Sequence, residues 1–171
     1  MTTSQSPVVT INATIPLVSA PSWALWQRRL IDTMSQSVHP FLAKYTREDG
    51  TLIWRDENDD SFQTRDGADD FYESFYNWAL LYLLGGSDDL LELAQREWDA
   101  VTRQLTKLGM LYKEYERGYD HFHQGESYIY FYFLCLANPT DPQLIDRARR
   151  FAGLYLNEDP EAQNYDPEHK I

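Results

Sequence analysis

Leu90-Leu91-Glu92-Leu93-Ala94-Gln95-Arg96 decides the fold, because it is matched by Leu144-Ile145-Asp146-Arg147-Ala148-Arg149-Arg150 at an offset of 54 residues. Each copy follows an aromatic, apolar run and a short breaker: Gly85-Gly86 before the first, Asn138-Pro139 before the second. An aromatic helix joined to a more charged one, repeated at about fifty residues, indicates stacked helical hairpins that bury a continuous core. The sequence therefore predicts an all-α protein built as an array of antiparallel helical hairpins with long polar loops.

Around that repeat the elements fall into place. Residues 1–22 are rich in Thr, Ser, Pro and Val without helical period and read as an extended arm. From Ser22, read as an N-cap, Trp23, Trp26, Leu30, Met34 and Val38 recur at three-to-four spacing, predicting an amphipathic helix to about Tyr45 that Pro40 bends or ends. Arg47 to Ala68 is long, polar and acidic; Asp49-Gly50 marks a turn, and Thr51 to Trp54 reads as a short strand. Helices are expected over Asp70–Leu84, Ser87–Leu108, Glu126–Ala137 and, capped by Thr140 with Gln143 placed for a capping box, to about Leu156. The polar stretch 109–125 is expected to hold a short hairpin. This places the α/α-hairpin domain at 23–157 and a C-terminal loop at 158–171, whose turn-rich end reads as truncated.

Composition narrows the function classes. A chain of 171 residues with 43% hydrophobic and 15% aromatic content can bury a core as one domain. With 27 acidic against 15 basic residues and a formal charge of −12, it lacks the basic surface that drives polyanion binding, so nucleic acid is not an expected partner. The single cysteine, Cys135, lies in an apolar run and reads as core. The N-terminus has no basic region followed by an apolar one, and no run is long enough to span a bilayer; a cytoplasmic protein without membrane partners is the expectation.

Chemistry concentrates at two predicted helix starts. Asp69-Asp70-Phe71-Tyr72-Glu73-Ser74-Phe75-Tyr76-Asn77-Trp78 mixes carboxylates, an amide and aromatic rings; His121-Phe122-His123-Gln124-Gly125-Glu126-Ser127-Tyr128 repeats the theme. On one continuous helix Asp70, Glu73 and Asn77 would share a face. Together with Asp66-Gly67-Ala68 and Leu83-Leu84-Gly85-Gly86-Ser87, these segments carry a resemblance to the six-hairpin glycosidase superfamily, the (α/α)6 toroids. It covers residues 23–157 and only the N-terminal portion of such a toroid. The resemblance implies inner helices lining a cleft whose N-terminal loops carry the acids, a carbohydrate substrate, and either a second chain or further C-terminal hairpins to complete the ring.

Glycosidic hydrolysis needs one carboxyl to protonate the leaving oxygen and a second carboxylate to activate water or attack. Asp70 or Asp69 with Glu126 is the expected pair, and Trp54, Glu73, Tyr76, Asn77, Tyr119 and His123 are the expected substrate contacts. A lyase or epimerase of the same fold would lean on His123 and Tyr119 as proton-transfer groups. The rival from another class is a non-catalytic helical-repeat module binding a glycan or a protein. The plainer reading of Asp70 and Glu73 is a capping box, with acids favouring a helix N-terminus. No metal site is expected: the two histidines lack zinc spacing, and Asp56 to Asp60 lacks the glycine and terminal glutamate of a calcium loop. No cofactor motif occurs, since Walker and dinucleotide fingerprints are missing.

Overall fold

The computed structural model describes residues 19–53, 71–107, 111–112, 115–116, 121–160 and 166–170, the backbone alone at 111–112, 115–116, 121–124 and 126–127. These residues form an all-α fold of five helices: α1 (Ser22–Tyr45), α2 (Trp78–Leu83), α3 (Leu90–Lys107), α4 (His121–Ala137) and α5 (Pro142–Tyr155). A two-residue antiparallel ladder, β1 (Leu111–Tyr112) with β2 (Tyr115–Glu116), lies between α3 and α4, in the stretch where a short hairpin is expected.

α1 runs through Pro40 without ending there. Its N-cap is Pro21, which offers no side-chain acceptor, and Ser22 is the first helical residue rather than the cap. Its C-terminal half is the more deeply anchored: Val38 and Leu42 are buried, and Phe41 sets its ring edge-on to Phe75 and Trp78, both at 6.0 Å between centroids. After α1 the chain turns at Asp49-Gly50, where Gly50 takes φ +81° and Arg47 pairs with Thr51 across the turn. Of the expected strand, the described residues 51–53 form one bridge, Leu52 with Thr46. Leu52 is held by Gln104, whose amide accepts from the Leu52 N–H at 2.8 Å and donates to its carbonyl at 3.0 Å.

The second expected helix is broken. Residues 71–73 are helical, 74–77 form turns, and α2 restarts at Trp78. Phe71, Tyr72, Phe75 and Trp78 are buried on both sides of this break. Gly85 (φ +87°) and Gly86 then reverse the chain; a Cβ at Gly86 would stand 2.6 Å from Leu90 Cδ1 and 2.8 Å from the Leu81 carbonyl. α3 packs along both α2 and α4.

Two further boundaries differ from the sequence reading. α4 begins at His121, so Gly125 and Glu126 stand inside it rather than at its mouth. α5 is capped by Asp141, whose carboxylate accepts from the Gln143 N–H at 2.8 Å, so Gln143 contributes its backbone to the cap. Pro142 opens the helix, where its missing N–H costs nothing.

The core is aromatic. Tyr72 stacks on Trp98 at 4.5 Å, Trp98 meets Tyr130 edge-on at 5.4 Å, and Phe151 of α5 closes on Tyr128 and Phe131 of α4 at 4.7 and 4.9 Å. Phe75, Trp78, Trp98 and Phe131 are buried. Cys135 is half-buried and burial pushes its thiol up, as suits a small hydrophobe. α4 leaves Ile129, Tyr132 and Leu136 exposed along one stripe.

Candidate functional site

The contacts between 71–83 and α4 set the geometry around the predicted acids. Tyr72 and Phe75 meet Tyr130 at 6.4 and 6.3 Å, and Tyr76 stacks on Phe133 at 6.2 Å with the rings 18° apart. Rising numbers on one side meet rising numbers on the other, so the two segments run side by side in the same direction. Phe71 therefore stands level with the middle of α4, near residue 129, and the first turns of α4 extend beyond it on the side from which the 71–83 segment enters.

Two buried hydroxyls fix that arrangement. The Tyr72 hydroxyl lies 2.8 Å from Thr102 Oγ1, and the Tyr130 hydroxyl donates to the Ala94 carbonyl at 2.6 Å. Complete burial, with Glu97 and Asp99 nearby, pushes the Tyr130 phenol well above its ordinary range, so it stays protonated and structural.

The expected site residues distribute unevenly over this frame. Asp69, Asp70, Trp54 and Tyr119 lie outside the described residues. His123 and Glu126 are placed by backbone only, in the first two turns of α4. Glu73 is exposed at the end of the helical turn and Asn77 is exposed just before α2. The break at 74–77 separates Glu73 from Asn77, so these two do not lie on one continuous helix. Tyr76 is half-buried, with one ring face taken by Phe133, which leaves less of it for a ligand.

A groove of about 540 Å³ opens at the other end of the helices, where both breakers turn the chain. Asp88 reaches it from the turn before α3, Glu92, Gln95 and Asp99 from the first ten residues of α3, Asn138 and Asp141 from the α4–α5 turn, and Tyr82 from α2. Two of its carboxylates have structural partners: Asp99 is paired with Arg147 of α5, and Asp141 caps α5. Arg96, also on the groove, turns its guanidinium onto Glu97 at 2.8 Å. What remains is a hydrogen-bonding surface of amides, carboxylates and one phenol, with the chemistry to bind a hydroxyl-rich or cationic ligand. Sequence reasoning missed this groove. Its signal was the pairing of two breakers, Gly85-Gly86-Ser87 and Asn138-Pro139, each followed by acids.

Glu97 is a second feature absent from the sequence reading. Its side chain is fully buried, Oε1 accepting from Arg96, and Oε2 has no hydrogen-bond partner among the described residues. The Asp49-Gly50 turn covers it: a Cβ at Gly50 would come within 2.9 Å of Ala100 and 3.4 Å of the Glu97 carboxylate. Burial raises the Glu97 pKa against the opposing pull of Arg96. No group of three or more His, Cys, Asp or Glu side chains among the described residues is arranged to hold a metal ion.

The described fold defines a helical protein with an aromatic core, and none of its described helices is long and apolar enough to cross a membrane. The profile of the family described as Domain of unknown function (DUF8034) matches residues 10–171, and the chain belongs to that family. No curated protein and no solved structure matches the chain.

Proposed function

We propose that the protein is carbohydrate-active and works as a glycoside hydrolase, with Asp70 (or its neighbour Asp69) and Glu126 as the acid–base pair. In this reading the 71–83 segment with α3, and α4 with α5, are successive hairpins of a partial (α/α) toroid, the first member of each being inner. The observation that carries it is the parallel contact of Tyr72 with Tyr130 and of Tyr76 with Phe133, which supports the acid-bearing ends standing at one end of the array. Glu126 in the second turn of α4 is compatible with that role, since the catalytic demand is on carboxyl separation rather than on a helix-terminal position. Glu73, Asn77, His123, Trp54, Tyr119 and the open face of Tyr76 are the proposed substrate contacts.

The test is product analysis on a panel of oligosaccharides. New reducing ends without ultraviolet-absorbing unsaturated sugars are expected, and Glu126→Gln should lower kcat by more than about a hundredfold while sparing binding. Unsaturated products would replace this reading with a lyase. Unchanged turnover in the variant would remove Glu126 from the mechanism.

A non-catalytic binding module is the second reading, and the groove favours it. Its carboxylates Asp99 and Asp141 are committed to an ion pair and a helix cap, an arrangement suited to holding a ligand rather than moving protons. Glycan binding with no turnover by the wild-type chain, lost on changing Asn138 and Gln95 to Ala, would decide for it.

A further inference from the structure

The N-terminal half of α1 carries Trp23, Trp26, Leu30 and Met34 at i, i+3, i+7 and i+11, one line along the helix. They are 68%, 73%, 59% and 43% exposed. The line continues toward Phe41, which packs on Phe75 and Trp78, and it lies beside the face of α1 that meets the body at Ile31, Ser35, Val38 and Leu42, without cover from the described residues. Two largely exposed tryptophans in register on one helix are not a scatter of single apolar residues; a contiguous patch of this kind marks an interaction surface.

We propose that the α1 stripe is a two-fold interface between two copies of this chain, α1 packing antiparallel on α1 of the partner and centred on Leu30. Three observations select this occupant. The first is register. An antiparallel pair about residue 30 sets Leu30 against its own copy, Trp26 against Met34, Gln27 against Thr33, and Trp23 against the small Ser37. Every apolar position thus meets an apolar or small one, as the self-complementary patch of a two-fold dimer requires.

The second is charge. The stripe itself, Trp23, Trp26, Leu30 and Met34, carries no charge, so pairing along it in a chain of formal charge −12 sets no like charges against each other within the contact. Arg28 is turned onto the body, donating to the Gly85 carbonyl at 2.7 Å and pairing with Asp32 at 2.7 Å, so neither side chain crowds the stripe. The third is area. With about 150–250 Å² on each aromatic side chain, the four residues present on the order of 500 Å² per copy, and pairing removes on the order of 1,000 Å², the lower bound for a specific interface.

Sedimentation velocity and light scattering of the full chain over a wide dilution series test this. The wild type is expected to approach twice its 20.1 kDa mass as concentration rises. Leu30→Glu, at an exposed position, should keep the far-ultraviolet circular dichroism and weaken self-association by more than about a hundredfold, because it would bury two like charges against each other. Leu30→Cys should form a disulfide-linked dimer on mild oxidation, and Tyr132→Glu, on the separate exposed stripe of α4, should leave the dimer intact. A monomeric wild type would overturn the proposal, including one with blue-shifted tryptophan emission, which would assign the cover to the chain's own residues 1–18. A dimer lost in Tyr132→Glu but kept in Leu30→Glu would overturn it equally.

Discussion

Glu97 concentrates the electrostatic tension of the fold. It lies in the more charged helix α3, yet its carboxylate is fully buried under the Gly50 turn. Nothing local marks it, because the cover comes from about fifty residues earlier in the chain. A buried carboxyl with a raised pKa holds its proton in the folded state at a pH where the unfolded chain has lost it. Its contribution to stability is therefore present below the ordinary value of 4.5 and declines as pH rises through that value toward the raised one. Exposed Asp49, Asp89 and Asp166, held low by hydrogen bonds from Thr51, Ser87 and His169 respectively, act in the opposite sense, so the wild-type curve mixes both. The difference between wild type and Glu97→Gln isolates the one group. Thermal melts should find the two proteins close at pH 4 and the variant more stable at pH 7, since glutamine keeps an oxygen for Arg96 without a buried charge. A difference that does not change with pH would contradict this account.

At the scale of elements, the three-to-four periodicity of α1 and the repeat shared by α3 and α5 made five helices legible. What the sequence hid were the points where the chain departs from local pattern. Phe71, Tyr72, Phe75 and Trp78 share one helical stripe, so Phe75-Tyr76-Asn77 reads as helix, yet residues 74–77 form turns. Gly125 reads as a helix boundary, but it lies within α4, exposed, with open space where a Cβ would stand. Glycine inside a helix costs about 0.5–1 kcal/mol relative to alanine. Gly125→Ala should therefore raise stability by about that amount, a Tm increase of roughly 1–4 °C for a chain of this size. Calorimetry checks it, and a lowered Tm would mean that residues 121–126 do not continue α4.

For the whole molecule, the expectation that two acidic helix starts serve one cleft rests on how inner helices align. The aromatic identity of those helices was readable from Phe71 to Trp78 and from Tyr128 to Phe133. Their parallel contact was not, because it depends on ring pairs some 58 residues apart, Tyr72 with Tyr130 among them. The groove at the opposite end was equally hidden, since its walls come from two breakers that only the fold brings together. Placing cysteines at positions 70 and 126 in a Cys135→Ser background, then treating the protein with a rigid bis-electrophile of about 5–10 Å reach, measures the separation a glycosidic carboxyl pair would need. The account predicts an intramolecular bridge in high yield, detected as one added linker with no free thiol. Two singly modified cysteines and no bridge would contradict it.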